Sequence, residues 1–221
     1  MKLSRTTTNK IHFVFDELLP PIVRDSKIFM FIPILIAFRR QAKLVMDFKA
    51  RSLLMTNEEI GKVYQQLEWY SNERETDLNY KCVIKIEKNI VGNTVLDVGC
   101  GRGFLAARLA KRYKVTATDI LIGDSTIRRF PSVKFKKAAI EKLPFPKASF
   151  DTVICTHTLE HVREIGPAIK ELRRVTKKRL IIVVPKQRPY NYTFDLHLHF
   201  FPYIYFFLKA IKSKKNSKCE E

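Results

Sequence analysis

Three small groups of residues in this 221-residue chain carry side chains of the kind that bind or react. In VLDVGCGRGF an acid, Asp97, stands two positions ahead of Gly99, and Gly101 and Gly103 follow at alternate positions. Glycines so spaced let the backbone turn sharply and bring its amides close to a ligand. A helix expected from Phe104 points its positive end the same way, so the loop favours a negative group. In THTLEHV, His157, Glu160 and His161 place two bases and an acid close together. A histidine near its ordinary pKa can take a proton from a reacting oxygen or acidic carbon. The plainer reading is that His157 packs against a ligand, Glu160 caps a helix and His161 hydrogen-bonds within the scaffold. In DLHLHF, Asp195, His197 and His199 alternate. On a strand both histidines would share a face, as acceptor contacts or metal ligands. With no helical H-x-x-x-H and no remote ligand in view, no metal is expected.

Side chains so placed need rigid elements behind them. Apolar runs at 95–99, 115–120, 133–138, 150–157 and 179–185 predict five strands. Helices are predicted over 104–113 and 167–176, where Ile165, Ile169, Leu172 and Val175 recur at helical steps. VICT and LIIVV are apolar throughout and need cover on both faces, which a parallel sheet with crossover helices supplies. The fold class is therefore α/β, doubly wound, with ligands beyond the carboxyl ends of the strands. Asp119 ends the second strand, about twenty residues past the glycines, where a carboxylate can accept both hydroxyls of a ribose. Ahead of the first strand the chain is helix-like. Asn57, followed by Glu58 and Glu59, predicts one helix start, and Thr76 or Asp77 another running through Glu87. The expected organisation is a helical extension over 1–90, the α/β core over 91–190 and an aromatic, basic segment over 191–221 whose tail from Lys212 is solvated.

Composition narrows the surroundings. With 46% hydrophobic residues the chain can bury a core, and wholesale disorder is excluded. Cys82, Cys100, Cys155 and Cys219 form no C-x-x-C pair, and residues 1–10 show no secretory pattern, so free thiols in a reducing, cytoplasmic compartment are expected. A formal charge of +19 must attract anions, whether phospholipid headgroups, RNA or an acidic substrate. The apolar run over residues 28–38 reaches roughly 16 Å as a helix against a hydrocarbon core of about 30 Å, so it cannot span one. Pro33 is expected to kink it. This run and the stretch from Phe200 to Lys215 combine apolar bulk with cations, which suits either a membrane interface or a cover over the sheet. Tyr64, Trp69 and Tyr70 fit a lid over a ligand, though aromatic core is the favoured reading.

The dinucleotide fingerprint G-x-G-x-x-G would need glycine where Phe104 stands. Asp97 with Gly99, Gly101 and Gly103, then Asp119, then AAIEKLPFPKASFDTVICTHTLEHV and ELRRVTKKRLIIVVP, instead resemble class I S-adenosylmethionine-dependent methyltransferases over about residues 92–186. The nearest subgroup is the broad one holding quinone- and sterol-type enzymes. The resemblance implies a Rossmann-like sheet of order 3-2-1-4-5, S-adenosylmethionine as cofactor and methyl transfer to a small-molecule or lipid-linked acceptor. RNA as acceptor, or a non-catalytic binding protein, are the alternatives. It places Asp97, Gly99, Cys100, Gly101, Gly103, Asp119, Ile120 and Thr156 about the cofactor, and His157, Glu160 and His161 about the reacting atoms. Cys100 also reads as a small side chain tolerated in a tight loop. Many members carry an acid four residues before the Leu-Pro; here that position is Ala139, so adenine falls to Ile140 or Glu141. The antiparallel hairpin that usually closes the family's sheet is not found, so the expectation is either a truncated chain or an aromatic stretch that caps in its place.

Overall fold

The computed structural model describes residues 13–71, 75–192, 194–213 and 217–220, and residues 16, 17, 57 and 68–71 by backbone alone. The stretch read for a secretory pattern, residues 1–10, and part of the lysine-rich tail lie outside the described residues. So do the side chains of Trp69 and Tyr70.

After one π-helical turn at Val14–Leu18 come α1 (Pro21–Arg24), α2 (Lys27–Phe38), α3 (Ala42–Ser52), α4 (Asn57–Ser71) and α5 (Tyr80–Lys88). Ser26 caps α2 by accepting from the Phe29 amide, and Pro33 lies inside the helix without ending it. One stripe of α2, Met30, Ile34 and Phe38, is buried against Ala42, Val45 and Phe48 of α3 and Ile60, Val63 and Leu67 of α4. The other side leaves Ile28, Phe31, Ile32 and Ile36 exposed. Among the described residues no helix is long and apolar enough to cross a membrane.

The two helix starts differ slightly from the sequence reading. Thr56 caps α4 through a reciprocal box: its Oγ1 accepts from the Glu59 amide while Glu59 Oε2 accepts from the Thr56 amide. Asn79, in place of Thr76 or Asp77, caps α5 by accepting from the Cys82 amide. Thr76 Oγ1 serves a tighter local turn at Leu78.

The rest alternates as β1 (Thr94–Val98), α6 (Phe104–Leu109), β2 (Lys114–Asp119), α7 (Asp124–Arg129), β3 (Lys134–Lys137), β4 (Phe150–Thr156), α8 (Ile165–Val175) and β5 (Thr176–Val183). The five strands are all parallel in the order β3-β2-β1-β4-β5. Successive residues of β1 serve opposite faces: Leu96 and Val98 pack with α8, and Val95 packs with α5 and α6. Both faces are thus covered, as the unbroken apolar strands require. The strand order reverses between β1 and β4, which opens a crevice past their carboxyl ends.

Beyond β5 the chain adds α9 (Ile204–Ala210) and, among the described residues, no further strand to the sheet. Phe201 and Ile211 pack with α8 and β4, while Leu196 joins the core of α2, α3 and α4. The aromatic segment therefore links the helical extension to the sheet. The alternating strand expected in DLHLHF does not form. Leu196 takes a positive φ of 56°, which turns the chain and sends the two histidines to separate partners.

Candidate functional site

The β1–α6 loop is shaped by its glycines. Gly99 has a φ of +73°, and a Cβ there would lie 2.0 Å from Thr158 Oγ1, so β4's outgoing turn packs directly on it. Gly101, at φ +50°, faces open space, where a ligand can approach the backbone. The amides of Gly99 and Cys100 donate to the Thr118 carbonyl at 2.8 and 3.0 Å, and that of Gly103 to the Cys100 carbonyl at 2.9 Å. Gly101 donates to Asp119 Oδ2 at 2.8 Å, and Leu121 donates to Asp119 Oδ1 at 3.1 Å. These amides, read from the sequence as donors for a negative group, serve the loop itself. The helix behind it, α6, is also shorter than the predicted 104–113.

Acids dominate the crevice instead. Asp97 is 1% exposed, and neither of its carboxylate oxygens has a hydrogen-bond partner among the described residues. Burial, with the charge of Asp119 added, pushes its pKa from 3.8 up to about 7. Burial likewise raises Asp119, against the pull of the Leu121 and Gly101 amides. A buried, orphaned acid and a half-buried one beyond it call for a ligand that brings a cation and hydroxyl donors. Burial and both acids push the Cys100 thiol far above its ordinary range, which leaves it a neutral small side chain.

Past β4 lies the second group. His157 has a strained φ of 49° and donates its amide to the Val183 carbonyl at 3.0 Å. Its Nδ1 stands 3.3 Å from Oε1 of Glu160, which is fully buried. Burial lowers the His157 pKa, but the Glu160 contact and the charges of Glu160, Asp77 and Asp195 more than offset it, so the ring sits above its ordinary value. Glu160 caps no helix, since α8 starts only at Ile165; its carbonyl receives the amides of Leu198 and His199 at 2.8 and 3.1 Å. Burial and neighbouring His197 bring His161 down to about 4, so it is neutral. His161 Nδ1 meets the Tyr64 hydroxyl at 3.1 Å. His197 Nδ1 meets Gln187 Oε1 at 2.6 Å, and Gln187 Nε2 donates to the Tyr190 hydroxyl at 2.9 Å. His199 Nε2 donates to the Val162 carbonyl at 2.9 Å, away from this cluster.

Thr158, Gln187 and Tyr190 went unmarked in the sequence, and Tyr64 was read there as lid or core and not as a partner of His161. Thr158, just past β4, and Gln187, just past β5, carried a positional signal at the carboxyl edge of the sheet. The turn at Ile140 and Glu141 follows β3, with Ile140 buried; Ile120 and Thr156 end or follow β2 and β4 on the same edge. Arg174 and Glu171 of α8 fasten the adjoining Leu-Pro-Phe turn. Arg174 donates to the Leu143 and Phe145 carbonyls at 2.9 and 2.6 Å, and Glu171 Oε2 accepts from the Leu143 amide at 2.9 Å.

Residues 96–184 match the family model described as a methyltransferase domain. An uncharacterized methyltransferase of Mycobacterium tuberculosis is 35% identical over 104 residues, which cover 43% of this chain and 51% of that protein. The 2-methyl-6-phytyl-1,4-hydroquinone methyltransferase of Synechocystis is 39% identical over 100 residues, 42% of this chain and 31% of that one. The 2-phytyl-1,4-naphtoquinone methyltransferase of Nostoc punctiforme is 30% identical over 143 residues, 56% and 61% of the two chains. The chain thus spans between 31% and 61% of the length of these relatives. The solved YcgJ protein of Bacillus subtilis is 27% identical, with a TM-score of 0.41 over 45% of this chain and 47% of its own. Over residues 96–184 the chain is therefore similar to methyltransferase domains.

Proposed function

We propose that this protein transfers a methyl group from S-adenosylmethionine to a small-molecule or lipid-linked acceptor. The observation that carries the reading is the orphaned, buried Asp97 carboxylate beneath an open glycine, with Asp119 beside it. S-adenosylmethionine brings an ammonium group, a ribose diol and, on its sulfonium, an electrophilic methyl, and the donor set fits each of the first two. Asp97 pairs with the ammonium. Asp119 accepts the ribose hydroxyls, and its two backbone donors hold it in place for them. Gly99, Cys100, Gly101 and Gly103 form the wall along the amino-acid end. Ile120, Ile140 and Glu141 border the adenine, and Thr156 closes the side next to β4.

Methyl transfer asks the enzyme to align the acceptor, exclude water and remove a proton where the acceptor is an oxygen or an acidic carbon. His157 takes that proton. Its raised basicity, from the contact with Glu160, makes it the better base of the pair. His161, neutral and held by Tyr64, supports Glu160 from the other side. The quinone-type acceptors named for two relatives favour a lipid-linked acceptor here too. The exposed apolar residues of α2 and the net charge of +19 favour reaching it at an anionic membrane surface from the cytoplasmic side.

Calorimetry with S-adenosylmethionine tests the cofactor half. Loss of two hydrogen bonds to a charged group costs roughly 3 kcal/mol or more, so Asp119→Ala is expected to weaken binding about a hundredfold. Unchanged affinity would show that the nucleoside lies elsewhere. Labelled-methyl transfer into fractionated lipid, metabolite, protein and RNA pools tests the acceptor half. Label in the lipid or metabolite pool supports the proposal, label confined to RNA replaces the acceptor, and tight binding with no label in any pool makes the chain a binding protein.

A further inference from the structure

The turn after β4 and the segment after β5 meet in a constellation to which the methyl-transfer reading gives Glu160 and His161 supporting roles only, and His197 none. Glu160, His161 and His197 each offer one ligand atom, and these atoms all lie within 4.8 Å of one another. Their chemistry is already arranged for ligation. Gln187 Oε1 can only accept, so His197 Nδ1 donates to it across 2.6 Å. His161 has its Nδ1 on the Tyr64 hydroxyl at 3.1 Å. A ligating histidine typically has its far nitrogen fixed on an oxygen partner in this way, and here both do. The two rings stand edge to face at 4.7 Å between centroids. Beside them the carboxylate of Glu160 is fully buried, with both oxygens lacking a hydrogen-bond partner among the described residues.

A fully buried carboxylate whose nearest cationic group is the His157 ring, 3.3 Å from one oxygen, is costly, and a divalent cation shared with two imidazoles offsets that cost directly. We propose that Glu160, His161 and His197 bind one divalent first-row transition-metal ion. Two imidazoles and one carboxylate suit zinc, iron or cobalt rather than calcium or magnesium, and no thiolate belongs to the set. Bonds of about 2.1 Å place ligand atoms about 3–4 Å apart, so loading draws the three side chains together by about an ångström. Three protein ligands also leave coordination positions open, as in sites where a metal meets a substrate oxygen or water. His157, on Glu160, lies next to those positions. The site shares Glu160 and His161 with the proposed base, but its test reads metal binding and not methyl transfer.

Cobalt(II) titration of the metal-stripped full-length chain tests it. The expected result is one equivalent bound at micromolar concentration, with a nitrogen–oxygen ligand-field spectrum and no thiolate charge-transfer band. Glu160→Gln and His197→Ala, each checked for folding by circular dichroism, are expected to weaken binding by about tenfold or more, and Gln187→Ala, which touches no metal, by roughly 10–100-fold. His199→Ala, whose ring is engaged at Val162, should bind as the parent does. Absence of cobalt binding by the parent chain, a thiolate band, or undiminished binding in both folded Glu160→Gln and His197→Ala would overturn the site. Because Glu160→Gln is nearly isosteric, a failure of His197→Ala to fold would still leave a deciding variant.

Discussion

Asp97 is held where its charge has nothing to pair with, and this makes it a reporter of the crevice. Its folded pKa of about 7 lies above the ordinary 3.8, so the native state holds the proton more tightly than the unfolded chain. Stability is therefore greatest below about pH 4 as far as this group is concerned, and it falls as pH rises towards about 7. The gap corresponds to about 4 kcal/mol. Urea titrations of the ligand-free chain should show this decline, and Asp97→Asn, which cannot ionise, should remove most of the slope. An equal slope in parent and variant would mean that the carboxylate is already compensated. S-adenosylmethionine should reverse the trend, since its ammonium favours the ionised acid; binding below pH 7 then releases a proton to the buffer. The glycine loop, Asp119 and His157 were legible because each lies within a short stretch of sequence whose geometry is local. The pairing of His161 with Tyr64, 97 positions away, and of His197 with Gln187 was not, because only tertiary packing brings them together.

At the scale of elements, the five strands could be read from the chain because buried parallel strands are apolar throughout, and their ends differ from the expectation by at most a few residues. Boundaries set by one side chain were less legible. Thr56 and Glu59 cap α4 one residue ahead of Asn57, and α6 stops at Leu109, with basic Lys111 and Arg112 beyond it. DLHLHF alternates like a strand, yet Leu196 turns the chain there, and periodicity carries no sign of a positive φ. The Leu-Pro-Phe turn has no regular structure of its own and takes its position from α8. Glu171→Ala removes the partner of both the Leu143 amide and Arg174, 2.7 Å away. It should cost about 1–2 kcal/mol in urea unfolding. Because this turn leads directly from the residues proposed to border adenine, KM for S-adenosylmethionine should rise while kcat changes less. Lys170→Ala, exposed on the same helix, is the comparison that should leave both unchanged. An unaltered KM in Glu171→Ala would detach the turn from the cofactor.

At the scale of the whole molecule, charge and apolar surface pull towards the same kind of partner. A net charge of +19 alone would bind RNA or lipid alike, and either attraction would fade with salt. Exposed apolar side chains separate the two. On α2, Ile28, Ile32 and Ile36 are 84%, 60% and 73% exposed, with Lys27 before them and Arg39 and Arg40 after. Each basic residue near an anionic surface contributes about 1 kcal/mol, and each large apolar side chain that enters the interface about 1.5–3 kcal/mol. The apolar part is insensitive to salt. Flotation with phosphatidylserine-containing vesicles should therefore persist in part at salt concentrations that abolish RNA binding, whereas neutral vesicles should recruit the protein less. Ile32→Asp with Ile36→Asp changes neither the buried stripe of Met30, Ile34 and Phe38 nor the crevice, so the fold and cofactor affinity should survive while flotation is lost. If the double variant floats as the parent does, the attraction is charge alone and α2 is a cover for the core beneath it. If the parent fails to float even at low salt, the acceptor must come to the crevice from solution.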